Sequence, residues 1–229
     1  MYKTSLYIVL MIFSIFKTKT VSAQDWANLN RFEKENTELA APLENENRIV
    51  FMGNSITEAW KTYDSLFFKE NPYINRGISG QTTPQMLLRF KADVIDLKPK
   101  AVILLAGTND LAENTGPTSF EAIMNNIISM VQLAKANNIK VVLSSVLPAY
   151  DYPWKKGLHP NKKIPELNKR IKKYADENAI IYLDYFSAMA DNKNGLINEF
   201  TYDGVHPNNN GYQIMKPLVQ DALEKILKK

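Results

Sequence analysis

The chain has 229 residues, 45% of them apolar and 23% charged, enough for one globular domain with a sizeable core and unlike a disordered or fibrous chain. There is no cysteine, which excludes disulfides, thiol nucleophiles and cysteine-ligated metal sites. The formal charge is +4, but Lys3, Lys17 and Lys19 lie within the first 23 residues, and without them 25 basic residues face 24 acidic ones. No basic patch interleaved with aromatics stands out, so neither a nucleic-acid nor an anionic-membrane partner is implied.

The start of the chain reads as an export signal. A short basic lead, an apolar run over residues 5–16 and the small-residue sequence Val21-Ser22-Ala23 predict cleavage near Ala23 and a periplasmic or extracellular product. A membrane span needs about 20 apolar residues. Lys17 and Lys19 stop this run short of that, so no stable membrane anchor is expected.

Residues 24–229 then read as one domain. Trp26, Leu29, Phe32 and Leu39 are spaced as an amphipathic stripe, which predicts an N-terminal helical extension over residues 24–47, ended by Pro42 and packed on the domain. Arg48 leads into Ile49-Val50-Phe51-Met52, a buried strand, with Gly53 free to take a tight turn before Ser55. A helix follows over residues 58–68 and a short strand over 72–76. Next come a glycine-bearing loop containing Gly80, a helix opened by Pro84, and the most apolar strand, Ala101-Val102-Ile103-Leu104-Leu105-Ala106, which empties into Gly107-Thr108-Asn109-Asp110.

Further helices are predicted over residues 120–136, 164–178 and from about 210, with strands over 140–146 and 180–183. An aromatic insert over residues 148–160 carries Tyr150, Tyr152, Trp154 and His159 and is expected as a loop over one end of the sheet. Strand and helix alternate about five times. This implies a doubly wound α/β domain with a mostly parallel sheet, whose ligands bind beyond the carboxyl ends of the strands.

The loops at that edge hold Ser55, Gly80, Asn109, and Asp203 with His206. A serine nucleophile needs a base, and His206 lies three residues after Asp203, so one loop can supply both an imidazole and the carboxylate that orients it. His159, the other histidine, has no carboxylate at matching spacing. Donors for a developing oxyanion are available from the backbone N–H groups of Ser55 and Gly80 and the side-chain amide of Asn109. Each feature has a plainer reading as well. Gly-x-Ser and Asp-x-x-His also occur in turns and helix caps.

Gly53-Asn54-Ser55, Gly80 within Gly77-Ile78-Ser79-Gly80, Gly107-Thr108-Asn109-Asp110 and Asp203-Gly204-Val205-His206-Pro207 resemble, in order, the four sequence blocks of the SGNH (GDSL-like) hydrolase superfamily. The resemblance spans about residues 48–220. It implies a flavodoxin-like three-layer α/β/α sandwich with a five-stranded sheet, Ser55 as nucleophile, His206 as general base and Asp203 as its orienting acid. It also implies Ser55, Gly80 and Asn109 as the oxyanion hole, with no metal or organic cofactor.

Asn54 departs from the family's usual Gly-Asp-Ser, and in this it resembles a secreted, carbohydrate-directed bacterial branch. The expected activity is hydrolysis of small acyl esters, acetyl above all, on carbohydrates, with Asn54, Tyr150 and Trp154 as candidate substrate contacts. Two alternatives stay open at this point. One is a lipase, lysophospholipase or thioesterase for longer chains, and the other is a non-catalytic carbohydrate-binding protein on the same scaffold.

Overall fold

A computed structural model describes residues 25–228. The expected export signal lies outside the described residues. Five strands form one parallel sheet in the order β2-β1-β3-β4-β5: β1 (Ile49–Gly53), β2 (Tyr73–Gly77), β3 (Ala101–Leu104), β4 (Lys140–Ser144) and β5 (Ile181–Leu183). This is a flavodoxin-like strand order, in keeping with the expected five-stranded α/β/α sandwich. Its topological switch falls between β1 and β3, where the chain leaves β1 for one edge and returns for the other.

Alternation along the strands feeds two cores. Val50, Met52, Val102, Leu104, Val141 and Leu143 face one side, covered by α4 (Thr83–Asp93), α6 (Phe120–Ala136) and α7 (Pro160–Glu177). Ile49, Phe51, Ala101, Ile103 and Val142 face the other, under α2 (Ser55–Tyr63), α3 (Ser65–Lys69) and α9 (Asn209–Lys228). Side chains of period two on a sheet buried on both faces make near-continuous apolar runs inevitable. On the second face Phe51 meets Trp60, Phe67 and Phe68 edge-on at 5.3–5.9 Å between centroids. Such pairs add about 0.5–1.5 kcal/mol each beyond simple burial.

Several elements differ from expectation. The N-terminal segment is no long amphipathic helix: it is a 3-10 turn over Leu29–Phe32 followed by α1 (Glu33–Glu38), and it ends before Pro42. Asn28 is left-handed at φ 55°, which interrupts the stripe, and the Asp25 carboxylate accepts the N–H groups of Leu29 and Asn30. Only Ala27 and Phe32 of this stretch are buried, while Trp26 and Leu29 are each 48% exposed. The helix expected over residues 58–68 is two helices. The Asp64 side chain accepts the Phe67 N–H and so caps α3, breaking the run between α2 and α3.

Candidate active site

Ser55 opens α2 directly after β1. The Asn54 side chain caps that helix by accepting the Ile56 N–H at 3.1 Å, which leaves Ser55 in the first turn, where N–H groups have no partner within the helix. Gly53 is needed here for space and not for a strained turn. Its φ is not positive, but a Cβ would sit 2.0 Å from Thr57 Oγ1 and 3.1 Å from the Leu105 carbonyl. The short link from strand to helix is therefore packed as tightly as backbone allows.

The loop before α9 brings an imidazole and a carboxylate to Ser55. Ser55 Oγ lies 3.0 Å from His206 Nε2, and His206 Nδ1 lies 2.7 Å from Asp203 Oδ2. The other oxygen, Asp203 Oδ1, accepts the backbone N–H groups of Val205 (2.9 Å) and His206 (2.7 Å). Burial pushes the Asp203 carboxyl up, but these bonds and the imidazole outweigh it and hold the group below its ordinary value. With Oδ2 accepting from Nδ1–H, Nε2 is left free to take a proton from Ser55.

Thr201, which the sequence reading did not single out, braces the loop. Its hydroxyl donates to the His206 carbonyl at 2.7 Å and accepts from Asp203 and Gly204, and residues 201 and 207 pair across the turn. A hydroxyl two residues before an aspartate in a glycine turn was the available signal.

The opposite side of the cleft comes from the loops after β2 and β3. Gly80 has φ +77°, the left-handed region that glycine enters at no steric cost. Asn109, in the short helix α5 (Thr108–Leu111), donates one amide hydrogen to the Gln81 carbonyl at 2.9 Å, leaving a second available. Asp110 accepts from the Thr83 N–H at 3.0 Å through both oxygens and from its hydroxyl at 2.6 Å, pinning the start of α4. Its burial pushes its carboxyl above the ordinary value, with the Thr83 bonds only partly opposing. Glu58, also unforeseen, accepts from both the N–H and the hydroxyl of Ser79, tying α2 to the same loop.

Ser55, Gly80, Asn109 and His206 thus line one cleft of about 670 Å³, together with Glu58, Thr62, Ser79, Asn114, Trp154 and Tyr202. Trp154 and Tyr202 flank His206 at 5.8 Å between centroids on either contact, and they are 47% and 62% exposed. Neither Asn54 nor Tyr150 lines the cleft. Asn54 is buried as a helix cap, and Tyr150 is exposed outside it. Tyr152 does not line a groove either: it is buried beneath Trp154, its hydroxyl bonded to Thr108 at 3.0 Å. His159 sits exposed at the start of α7, away from the cleft lining.

A hydroxyl linked through an imidazole to a carboxylate, in one cleft with Gly80 and Asn109, is an arrangement suited to acyl transfer. Residues 51–214 match the GDSL-like lipase/acylhydrolase family. The chain belongs to that family, within the SGNH superfamily.

A solved structure from Bacteroides fragilis, described as that of an acylhydrolase, is 49% identical and covers 89% of this chain and 99% of its own, with a TM-score of 0.87. A GDSL-like lipase from Bacteroides thetaiotaomicron is 50% identical, covering 87% and 98%, with a TM-score of 0.85. A multidomain esterase of Ruminococcus flavefaciens is 29% identical over 133 residues, 57% of this chain and 16% of that protein. The chain spans about a third or less of the length of the curated relatives it matches.

Proposed function

We propose that the protein is an exported serine esterase that removes small acyl groups, acetyl above all, from carbohydrates. The observation that carries the mechanism is the chain of contacts from Ser55 Oγ to His206 Nε2 at 3.0 Å and from His206 Nδ1 to Asp203 Oδ2 at 2.7 Å. Ser55 Oγ attacks the acyl carbon while His206 Nε2 takes its proton. The carbonyl oxygen becomes an oxyanion, held by the N–H groups of Ser55 and Gly80 and the free amide hydrogen of Asn109. His206 returns the proton to the departing sugar oxygen, leaving acyl-Ser55. Water then attacks that ester with His206 again as base, the carboxylic acid leaves, and Ser55 recovers its proton.

The small-acyl, sugar-directed reading is supported by the lining of the cleft. Glu58, Thr62, Ser79 and Asn114 make it polar, and the exposed faces of Trp154 and Tyr202 at its mouth suit stacking on sugar rings. Ser55→Ala and His206→Ala should each lower hydrolysis of p-nitrophenyl acetate about 10⁴-fold or more. Retained turnover in both removes the mechanism. With nitrophenyl esters of increasing length, a steep fall beyond acetate is expected, and a preference for octanoate or longer replaces the sugar reading with the lipid one.

Export is supported by the basic lead, the apolar run and Val21-Ser22-Ala23. Intact-mass measurement of the protein recovered from the periplasm or medium should give a chain beginning near Gln24. A full-length chain confined to the cytoplasm would count against export.

A further inference from the structure

Gln81 follows Gly80 immediately and is not among the cleft-lining residues, yet its side chain and its carbonyl tie three separate elements to that loop. It is 3% exposed. Its backbone carbonyl accepts the Asn109 amide at 2.9 Å, which sets the direction of the second amide hydrogen. Its side-chain oxygen accepts from Arg89 Nε at 2.5 Å, and its side-chain nitrogen donates to the Ala27 carbonyl at 2.7 Å. Both ends of the amide are used, so the residue has one orientation available to it.

Its two partners are themselves fixed. Arg89 is fully buried; Nη2 donates to the carbonyls of Gly53 (3.1 Å) and Arg76 (2.9 Å), and Nη1 donates to Asp93 at 2.8 Å. One guanidinium therefore joins the end of the nucleophile's strand, the end of β2 and the loop that carries Gly80. Ala27 belongs to the N-terminal segment, which is fastened in turn. Gln85 donates to the Trp26 carbonyl at 2.7 Å, and Asn36 bridges Arg76 and Asp93 with bonds of 2.7 Å to each.

We propose that Gln81 is a positioning residue for the oxyanion site, clamped between Arg89 and the carbonyl of Ala27, so that the N-terminal segment sets the aim of the Gly80 and Asn109 donors. The segment is then a working part of the active site. This rests on the reading of Gly80 and Asn109 as oxyanion donors. It goes further by naming a side chain that touches no substrate and a segment outside the matched residues 51–214.

The physical reason is the steep dependence of transition-state stabilisation on placement. Deleting one oxyanion donor costs about 10²–10³ in kcat, and a displacement near 1 Å can cost about 10²-fold. Ground-state binding, which relies on the cleft walls, is much less sensitive.

The test is Gln81→Met, close to Gln in volume but without either side-chain bond, and Gln81→Glu, which keeps an acceptor for Arg89 and loses the donor to Ala27. Kinetics on p-nitrophenyl acetate are normalised to active sites counted by fluorophosphonate labelling of Ser55, so misfolded protein is not counted. The expected result is a fall in kcat per labelled site of about 10–100-fold for the Met variant and about 3–10-fold for the Glu variant, with KM within twofold. The affinity of a tetrahedral boronate inhibitor should fall with kcat.

If the Met variant keeps kcat per site within twofold, or if KM rises while kcat holds, Gln81 is packing only and the proposal is overturned. Where Gln81→Met does not fold, the Glu variant decides on the same readouts. Loss of labelling and turnover in the unsubstituted enzyme would instead overturn the serine esterase reading, so the two failures are told apart.

Discussion

The two sides of the cleft are built on opposite plans. On the side proposed to hold the oxyanion, Gln81, Arg89, Asn109 and Asp110 are all at most 3% exposed, and their polar atoms bond one another, Thr83, Asp93 and backbone, with one Asn109 amide hydrogen left over. On the side of the proposed base, His206 and Asp203 are half-buried, and the rings beside them, Trp154 and Tyr202, are open to solvent. The difference suits the work proposed for each side. Donors for a developing charge stabilise it only if they are already aimed when it forms. A base must receive and return protons and let an alcohol leave, so its side faces the solvent.

The sharpest way to break this comparison is to attack the buried side where no substrate reaches. Arg89→Met leaves Asp93 as a buried charge with Asn36 as its remaining side-chain donor, and denaturant unfolding should show a loss of about 3–5 kcal/mol. A loss below 1 kcal/mol would show that the oxyanion side is no more rigidly built than its opposite.

Next in size is Asn109→Ala, which removes a donor while leaving the Ser-His-Asp contacts untouched. It should lower kcat about 10²–10³-fold with little change in KM, measured on the acetyl ester. A change confined to KM would move Asn109 from transition-state to substrate binding.

The smallest effect is in pH, and there the two carboxylates should act with opposite sign. Asp203 is held below its ordinary value, so the native state binds fewer protons than the unfolded chain; its stabilisation is present above the ordinary value of 3.8 and is lost as pH falls through the lowered one. Asp110 is raised by burial, so its contribution is fullest below 3.8 and is lost as pH rises through the raised value. Thermal melts across pH 3 to 6 should show a shallower acid-side loss for Asp203→Asn and a steeper one for Asp110→Asn, each relative to the unsubstituted protein. Shifts of the same sign would contradict the assigned environments.

Much of the site was readable because each part is local. Asp203 and His206 are three residues apart in one turn, and Ser55 and Asn109 each follow a run of apolar residues that reads as a buried strand. Gly80 stood out as a glycine in the loop after the second strand, where backbone can approach a substrate closely. What escaped notice was made of contacts across long separations: Gln81 with Ala27, Arg89 with Gly53, Glu58 with Ser79. Each is an ordinary polar residue in a helix or loop when read alone. The aromatic insert shows the same limit, since Tyr152 and Trp154 have similar composition and spacing, yet one is buried against Thr108 and the other lines the cleft.

The sequence by itself determined the parallel sheet and the residues that meet at its carboxyl edge, because periodicity, glycine turns and short-range spacing act along the chain. Only the tertiary structure decided which polar side chains hold those residues in place, which aromatics line the cleft and that residues 26–38 pack against α4 and Gln81. Those outcomes depend on burial and on hydrogen bonds between residues tens of positions apart, and the cost of leaving a buried polar group unpaired is paid only once the chain has closed around it.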